Sequence, residues 1–385
     1  MRRICLLLCL IGFVGLTLWA EPAELTVWQL SPDSFPGDLS WVNGELYVSL
    51  NDPKGLALFE PTARKLDVWI IDRAPGEFVR TDLRIFFALP YDGQFAWFRP
   101  DVGFFRFWDL PSSSAWPVFV LDGGDQPEDE DIWYLDWGTG RVGLFAPIES
   151  GPADLRDVFP MPIYVAPSTV QVPSDDVVAT GALVRPADFA PSSYQLDPIV
   201  SEPFTEWPLL TPEDPAYGFT RTSDGRIWVS SGVGQPLHAI DPTSNLVTLY
   251  ELPGAPFVTA LSSAADEGIA YIGSESEIWF LAKPDELSVE LGVLNFRDGS
   301  VRTWPVPAAF GGTSLRVLGD EVWFCDDELS SIYRFVPETS TFTWWTTGGD
   351  DAPRRLEPGA PGEMWISFDR SGGIARLVPS ELADE

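Results

Sequence analysis

Acidic and amide side chains recur at one kind of position in the sequence, directly after short segments in which β-branched or aromatic residues alternate with others. These side chains are Asn51, Asp52, Asp136, Asp326, Asp327 and Asp369. Hard divalent cations bind several oxygen ligands that converge from different parts of a chain. The pattern therefore predicts a calcium or magnesium site whose ligands are the carboxylates of Asp52, Asp136, Asp326, Asp327 and Asp369. Because the chain has 57 Asp and Glu residues, solvated acidic loops are the competing interpretation.

Residues for nucleophilic or acid–base catalysis are few. The single histidine, His238, lies in the strand-like segment LHAID, and related segments carry Ala57, Gln195 and Tyr333 at the comparable place. This pattern favours an ordinary strand position over a catalytic one. Cys325 has no histidine nearby in sequence to activate it, so we expect a small buried residue.

The amino terminus has the layout of a secretory signal peptide. Two arginines precede an apolar run from Ile4 to Trp19, and the small residue Ala20 follows. We predict that residues 1–20 are a signal peptide and that the protein is secreted or periplasmic, with an uncleaved anchor as the alternative. Removing this segment would leave Cys325 as the one cysteine, so the mature chain could form no internal disulfide.

The formal net charge of −33 limits the class of partner. Such a charge repels nucleic acid phosphates and anionic lipid head groups. A hydrophobic content of 45% indicates a packed core. We therefore expect a folded monomer that binds a small molecule, a glycan or a protein, and neither nucleic acid nor a membrane surface.

A repeated strand pattern is the main signal for the fold. Short alternating segments are centred on Tyr47, Phe86, Trp133, Val178, Trp228, Trp279, Trp323 and Trp365, at intervals of about 39 to 51 residues. Hairpin-like segments such as Leu237 to Pro253 follow them. Alternation with a period of two indicates strands with a buried face. The sequence predicts an all-β propeller of four-stranded blades, in which the bulky aromatics fill the space between blades.

The pattern gives eight repeats, with seven as the alternative. The segment from Ser168 to Pro208 lacks a central aromatic, and the count falls to seven if it is an insertion. Two segments, EGIAYIGS and SEIWFLA, compete for one strand of the sixth repeat. The last repeat lacks its final strand, and the segment from Leu25 to Pro32 is expected to supply it and close the ring. Residues 21–385 are thus predicted to form one domain.

One repeat, DGRIWVSSGVGQPLHAIDPTSNLVTLYELP from Asp224 to Pro253, resembles the repeats of the streptogramin lyase (virginiamycin B lyase) group of β-propellers. The similarity to gluconolactonase-like and NHL propellers is looser. The resemblance is strongest from Glu206 to Pro379. It implies a propeller fold and, for lyases, a histidine base with a magnesium ion. His238 departs from that pattern because it lies within a strand. Lactonase-like relatives imply carboxylates around a divalent cation instead.

These observations favour an exported propeller that binds a ligand or a protein. Rigid blades with variable loops suit recognition, and the loop aromatics Trp116 and Trp137 are candidates to stack on sugars or peptides. The alternative is a metal-dependent lyase or lactonase-type hydrolase that uses the carboxylates of one face.

Overall fold

The chain folds into a ring of seven antiparallel sheets. The computed structural model describes residues 22–30, 34–42, 44–80, 84–122, 131–147, 154–157, 160–185, 189–210, 216–254, 256–263, 276–348 and 351–380. Within these ranges, no helix is long and apolar enough to span a membrane. The predicted signal segment lies outside the described residues.

Each sheet is one blade, and the strands follow one another around the ring. The first strand, β1 (Ala23–Gln29), belongs to the last blade. Blade 1 contains β2 (Pro36–Val42), β3 (Glu45–Asn51), β4 (Lys54–Glu60) and β5 (Lys65–Ile70); blade 2 contains β6 (Phe78–Arg80), β7 (Ile85–Leu89), β8 (Gln94–Arg99) and β9 (Phe104–Asp109). Blade 3 begins with β10 (Pro117–Asp122), β11 (Ile132–Asp136) and β12 (Arg141–Phe145).

Seven short strands then follow before blade 3 is completed. They are β13 (Asp154–Asp157), β14 (Met161–Tyr164), β15 (Pro167–Val172), β16 (Ser174–Val178), β17 (Ala182–Val184), β18 (Ser192–Gln195) and β19 (Ile199–Ser201). We call residues 154–201 the belt. The fourth strand of blade 3 is β20 (Phe204–Pro208), which pairs with β12.

The remaining blades are regular. Blade 4 contains β21 (Ala216–Arg221), β22 (Ile227–Ser231), β23 (Leu237–Asp241) and β24 (Leu246–Tyr250); blade 5 contains β25 (Phe257–Ser262), β26 (Glu277–Asp285), β27 (Ser288–Asn295) and β28 (Val301–Pro305). Blade 6 contains β29 (Thr313–Leu318), β30 (Glu321–Asp326), β31 (Ser331–Val336) and β32 (Thr341–Thr346); blade 7 contains β33 (Pro353–Pro358), β34 (Met364–Phe368), β35 (Gly373–Pro379) and β1.

The ring is closed by the amino-terminal strand, as predicted. Strand β1 pairs antiparallel with β35, from Ala23 opposite Pro379 to Gln29 opposite Gly373. Both ends of the described chain therefore lie in blade 7. This pairing is non-covalent, so the closure of the ring depends on backbone hydrogen bonds and on packing.

The predicted count of eight blades is wrong, and the alternative of seven is confirmed. The segment from Ser168 to Pro208 is mostly belt, and only its end, β20, belongs to a blade core. Its predicted central residue, Val178, is 64% exposed and lies opposite Thr341 of blade 6. The SEIWFLA segment forms β26, whereas residues 267–274, the competing EGIAYIGS segment, lie outside the described residues.

The belt adds a fifth strand to the outer edge of every blade. From β13 to β19 it pairs in turn with blades 2, 1, 7, 6, 5, 4 and 3, always antiparallel. The belt thus travels once around the ring against the order of the blades. It ends at blade 3, the blade that the chain left after β12. There the N–H of Ala146 donates to the carbonyl of Pro203 at 2.9 Å. It covers edges that would otherwise expose unpaired backbone groups.

The core is divided into seven hydrophobic clusters, each of which joins two neighbouring blades. The predicted aromatics of the second strands lie in these clusters, and all are at most 7% exposed; they are Tyr47, Phe86, Trp133, Trp228, Trp279, Trp323 and Trp365. Trp323 stacks on Trp345 with ring centroids 5.6 Å apart. Large rings fill the wedge between twisted sheets, which confirms the reason for the repeat.

The closing strand gives a direct test of this architecture. Leu25 of β1 is 1% exposed in the cluster between blades 6 and 7. Leu25→Ala should lower the free energy of unfolding by about 2 to 5 kcal/mol, because it leaves a cavity. Gln29→Ala, at the exposed end of the same strand, removes one solvent-exposed hydrogen bond to the carbonyl of Ser371 and should change it by no more than about 1 kcal/mol. Urea unfolding followed by circular dichroism measures both; an unaffected Leu25→Ala variant would contradict ring closure by β1.

Candidate functional site

The antiparallel topology gives the ring two distinct faces. Turns between the second and third strands, and loops that lead from one blade to the next, lie on one face, which we call the entry face. Turns between the first and second strands and between the third and fourth lie on the other, the exit face. The five predicted carboxylate ligands and Asn51 end or follow a second strand (β3, β11, β30 or β34), so all six side chains lie on the entry face.

Asp136 and Asp326 occupy equivalent places in blades 3 and 6, and both are fully buried. Asp136 accepts hydrogen bonds from the N–H of Trp116 at 2.5 Å, the N–H of Gly138 at 2.9 Å and the hydroxyl of Thr139 at 2.5 Å. Burial raises the pKa of Asp136, and these three donors oppose the rise. The carboxylate therefore joins the loop that enters blade 3 to the turn after β11.

Asp326 accepts three backbone hydrogen bonds in the same way. Its donors are the N–H groups of Phe310 at 2.8 Å, Glu328 at 2.9 Å and Leu329 at 2.9 Å. The neighbouring Asp327 is half-buried, and its burial raises the pKa of its carboxyl. Backbone donors thus saturate much of the Asp326 carboxylate, which restricts its ability to bind a cation.

The other two predicted carboxylate ligands are apart from these. Asp52 is exposed in the turn after β3, and Asp369 accepts a hydrogen bond from Arg354 at 2.9 Å. Among the described residues, no group of three or more His, Cys, Asp or Glu side chains is arranged to hold a metal ion. The entry face carries all five residues, and Asp326 and Asp327 are adjacent in the sequence. The metal site stays a prediction.

His238 lies in β23, the third strand of blade 4, opposite Val229 and Leu249. Ala57 and Tyr333 occupy third strands too, as expected, whereas Gln195 lies in the belt. Desolvation lowers the pKa of His238 to about 4. Its Nδ1 is buried and has no hydrogen-bond partner in the described part of the chain. The imidazole is therefore neutral at pH 7.

Cys325 is fully buried in β30 and is a free thiol. Burial raises the pKa of this thiol well above its usual value, and the carboxylates of Asp327 and Asp326 add to the rise. A thiol that stays protonated is a poor nucleophile. The structure therefore gives Cys325 the small buried position that the sequence suggests.

A row of aromatic side chains on the entry face crosses blades 2 to 5. We call Tyr91, Trp116, Trp137, Tyr217 and Phe257 the aromatic arc. The ring centroids of Tyr91 and Trp116 are 5.5 Å apart, those of Trp137 and Tyr217 are 6.4 Å apart, and those of Tyr217 and Phe257 are 4.6 Å apart. The N–H of Trp137 donates to the carbonyl of Trp116 at 3.0 Å, which joins the two halves.

The arc is accessible from solvent. Tyr91 is 77% exposed and Trp116 is 44% exposed, while the other three rings are half-buried. Beside Tyr91, a cleft of about 520 Å³ separates blades 1 and 2. Its wall includes the ring of Phe35, the carboxylates of Asp72 and Asp92, and Lys54. An aromatic surface beside carboxylates can bind apolar rings and cations.

Exposed apolar side chains are distributed unequally between the two faces. Outside the belt, the exposed large apolar residues of the described chain on the entry face are Phe35, Tyr91, Trp116, Val233, Leu287 and Phe310, and on the exit face Val102. Contiguous apolar patches are typical of interaction surfaces, and among these residues Tyr91 and Trp116 have their rings in contact. Sequence reasoning selected Trp116 and Trp137 but missed Tyr91, Tyr217 and Phe257. These three residues could have been found in the sequence as aromatic residues at the ends of strands, away from the central position of the repeat.

The fold and this face define a seven-bladed β-propeller with one aromatic side. No family model matches the chain, and no curated protein matches it. A catalytically inactive virginiamycin B lyase from Staphylococcus aureus, solved with quinupristin, is structurally similar with a TM-score of 0.64 at 11% identity; the match covers 92% of this chain and 98% of the lyase.

Other solved propellers are also similar. YCF48 bound to a D1 peptide has a TM-score of 0.57 at 8% identity, covering 92% of this chain and 96% of that one. The extracellular domain of a one-component system from B. thetaiotaomicron has a TM-score of 0.54 at 11% identity, covering 93% and 40%. At these identities the matches show the fold alone. They confirm the predicted resemblance to streptogramin lyase propellers at that level.

Cation titration tests the predicted metal site. Asp136 and Asp326 already accept hydrogen bonds from internal donors. We therefore expect calcium or magnesium to change the melting temperature no more than NaCl of the same ionic strength does. A specific site would bind in stoichiometric amounts by calorimetry and raise the melting temperature. Such binding, if it were lost in an Asp327→Asn variant but kept in an Asp92→Asn variant, would confirm the metal site and contradict our expectation.

The half-buried imidazole of His238, whose Nδ1 is shielded from solvent, predicts a pH dependence of stability. The pKa of His238 is about 4 in the folded protein, and the ordinary value is about 6.5. As the pH falls, the imidazole of the unfolded chain is therefore protonated before that of the folded protein. The His238 contribution is present above about pH 6.5 and is lost as the pH falls towards 4. Urea midpoints measured across this window should fall more steeply for the wild type than for His238→Gln. Parallel curves would contradict the shielded, neutral imidazole.

Proposed function

We propose that the chain is an exported β-propeller binding module whose ligand contacts the aromatic arc on the entry face. The observation that carries the proposal is the concentration of exposed aromatic rings on this one face. Tyr91 and Trp116 are held by turns of rigid blades, and Trp116 is fixed through its backbone bond to buried Asp136. Side chains fixed in this way lose little conformational freedom when they bind.

The surroundings of the arc favour a ligand with cationic and apolar groups. Asp92 follows Tyr91 directly, and Asp72 and Lys54 line the same cleft, so two carboxylates outnumber one ammonium there. Two basic residues of this face are already paired, Lys283 with Glu328 at 3.2 Å and Arg354 with Asp369 at 2.9 Å. The net charge of −33 attracts cations to the whole surface. Basic peptide segments meet both requirements.

The similar propellers give this proposal indirect support. YCF48 was solved with a D1 peptide and virginiamycin B lyase with quinupristin, so this fold accommodates ligands of that size on other chains. Another similar structure is an extracellular domain, in keeping with the proposed export. The metal-dependent lyase or lactonase alternative depends on the cation titration above.

The arc is tested by loss of binding in a matched pair of variants. Purified wild-type protein would be screened against a peptide array and a glycan array, and each ligand found would be measured by calorimetry. Tyr91→Ala combined with Trp116→Ala should weaken binding about 10- to 30-fold, because losing the two exposed rings together should cost about 1.4 to 2 kcal/mol. Val102→Ala, which removes an equally exposed apolar residue from the exit face, is the control and should bind normally.

Salt dependence then separates the ligand classes. A basic peptide should bind more weakly as NaCl increases, because salt screens the exposed carboxylates. A ligand whose affinity is unchanged in the double variant would place the binding site away from the arc. Neutral glycans bound through the arc would keep the site and contradict its proposed preference for cations.

A further inference from the structure

The belt forms its longest strand pairing with β1, the strand that closes the ring. Its strand β15 pairs with β1 over six residues, from Ala23 opposite Val172 to Trp28 opposite Pro167. The pairings of its other strands span three to five residues. The hydroxyls of Thr26 and Thr169 are also hydrogen-bonded at 3.1 Å. Strand β1 is therefore held on both edges.

Belt side chains also enter the clusters between blades. Val165 lies in the cluster between blades 7 and 1, Val172 between 6 and 7, Ala179 between 6 and 5, Phe189 between 5 and 4, and Leu196 between 4 and 3. Val172 is 4% exposed and Val165 is 6% exposed, whereas the other three are only partly buried. The two deepest contacts of the belt thus flank blade 7, where the ring is closed.

Blade 7 is the natural place for the ring to open. Every other blade is built from strands that follow one another in the chain or, in blade 3, flank the belt, whereas blade 7 joins the two ends of the chain. If β1 leaves β35, blade 7 loses its fourth strand, and blades 7 and 1 can separate. The belt crosses this place on the outside, since β14 pairs with blade 1 and β16 with blade 6. Opening the ring therefore requires the belt to detach as well.

We propose that the belt is a lock that holds the closing strand in place and slows the opening of the ring. The described chain has Cys325 as its one cysteine, a buried free thiol, so the described part of the ring contains no disulfide that could do this. Contacts that must break before a structure opens act mainly on the unfolding rate. The lock is independent of the proposed binding function, because the arc lies on the entry face and the belt on the circumference.

The test compares belt contacts near the closing strand with a belt contact far from it. Val165→Ala combined with Val172→Ala shortens the two anchors beside blade 7 and keeps the belt intact. Leu196→Ala truncates a larger side chain than either valine, at the boundary of blades 3 and 4, and is the control. Native-state hydrogen exchange, read by mass spectrometry, would follow β1 and, as an internal reference, β22 and β23.

In the double variant, we expect the amide hydrogens of β1 to exchange at least 10-fold faster than in the wild type. Those of β22 and β23 should keep the wild-type rates. Leu196→Ala should leave β1 unchanged. The unfolding rate in urea should rise at least 10-fold in the double variant and less in the control. If β1 and the blade 4 strands accelerate equally, or β1 does not change, the belt adds only general stability and the proposal is wrong.

A second variant tests the whole belt. Phe145 lies opposite Phe204, so residues 148–202 can be replaced by a short Asn-Gly turn that joins β12 to β20 as a hairpin. The shortened protein should keep a folded β-sheet spectrum and a cooperative unfolding transition by circular dichroism, and it should unfold faster than the wild type. An unfolding rate equal to that of the wild type would overturn the lock.

Discussion

The pairing of β1 with β35 is the interaction on which the whole structure depends, because a blade can bury its two faces only between two neighbours. Seven clusters of apolar side chains lie between blades, and each needs the ring to remain closed. Closure is achieved by hydrogen bonds between the two ends of the chain. The belt strand β15 covers the other edge of β1, so the pairing that closes the ring has a second layer of support.

The same ring makes the entry face a suitable binding surface. The turns that present Tyr91 and Trp116 come from different parts of the sequence, and the rigid blades hold their rings together. Buried Asp136 contributes by fixing the loop that enters blade 3. Asp136 and Asp326, two of the predicted metal ligands, thus anchor the backbone of the exposed aromatic residues Trp116 and Phe310.

Much of the blade architecture could be predicted from the sequence, since each blade repeats a buried aromatic in its second strand, as at Trp228 and Trp279. The closing strand was predictable because the last repeat lacked one. The belt was not recognised, because its β-branched residues alternate as in a blade strand. Its signal is the spacing of Val165, Val172 and Ala179, one anchor for each blade crossed. The partners of Asp136 could not be predicted, because they include a residue 20 positions away.

The most direct measurement of the central claim, that residues 154–201 form a belt and not an eighth blade, is a disulfide cross-link between the belt and the closing strand. Thr26 and Thr169 are directly opposite each other, so cysteines at both positions would be close enough to bond. We expect the Thr26→Cys, Thr169→Cys variant to oxidise to a linked product by mass spectrometry, and a Thr26→Cys, Val177→Cys variant to remain reduced. Failure of the first pair to link in the folded protein would contradict the belt.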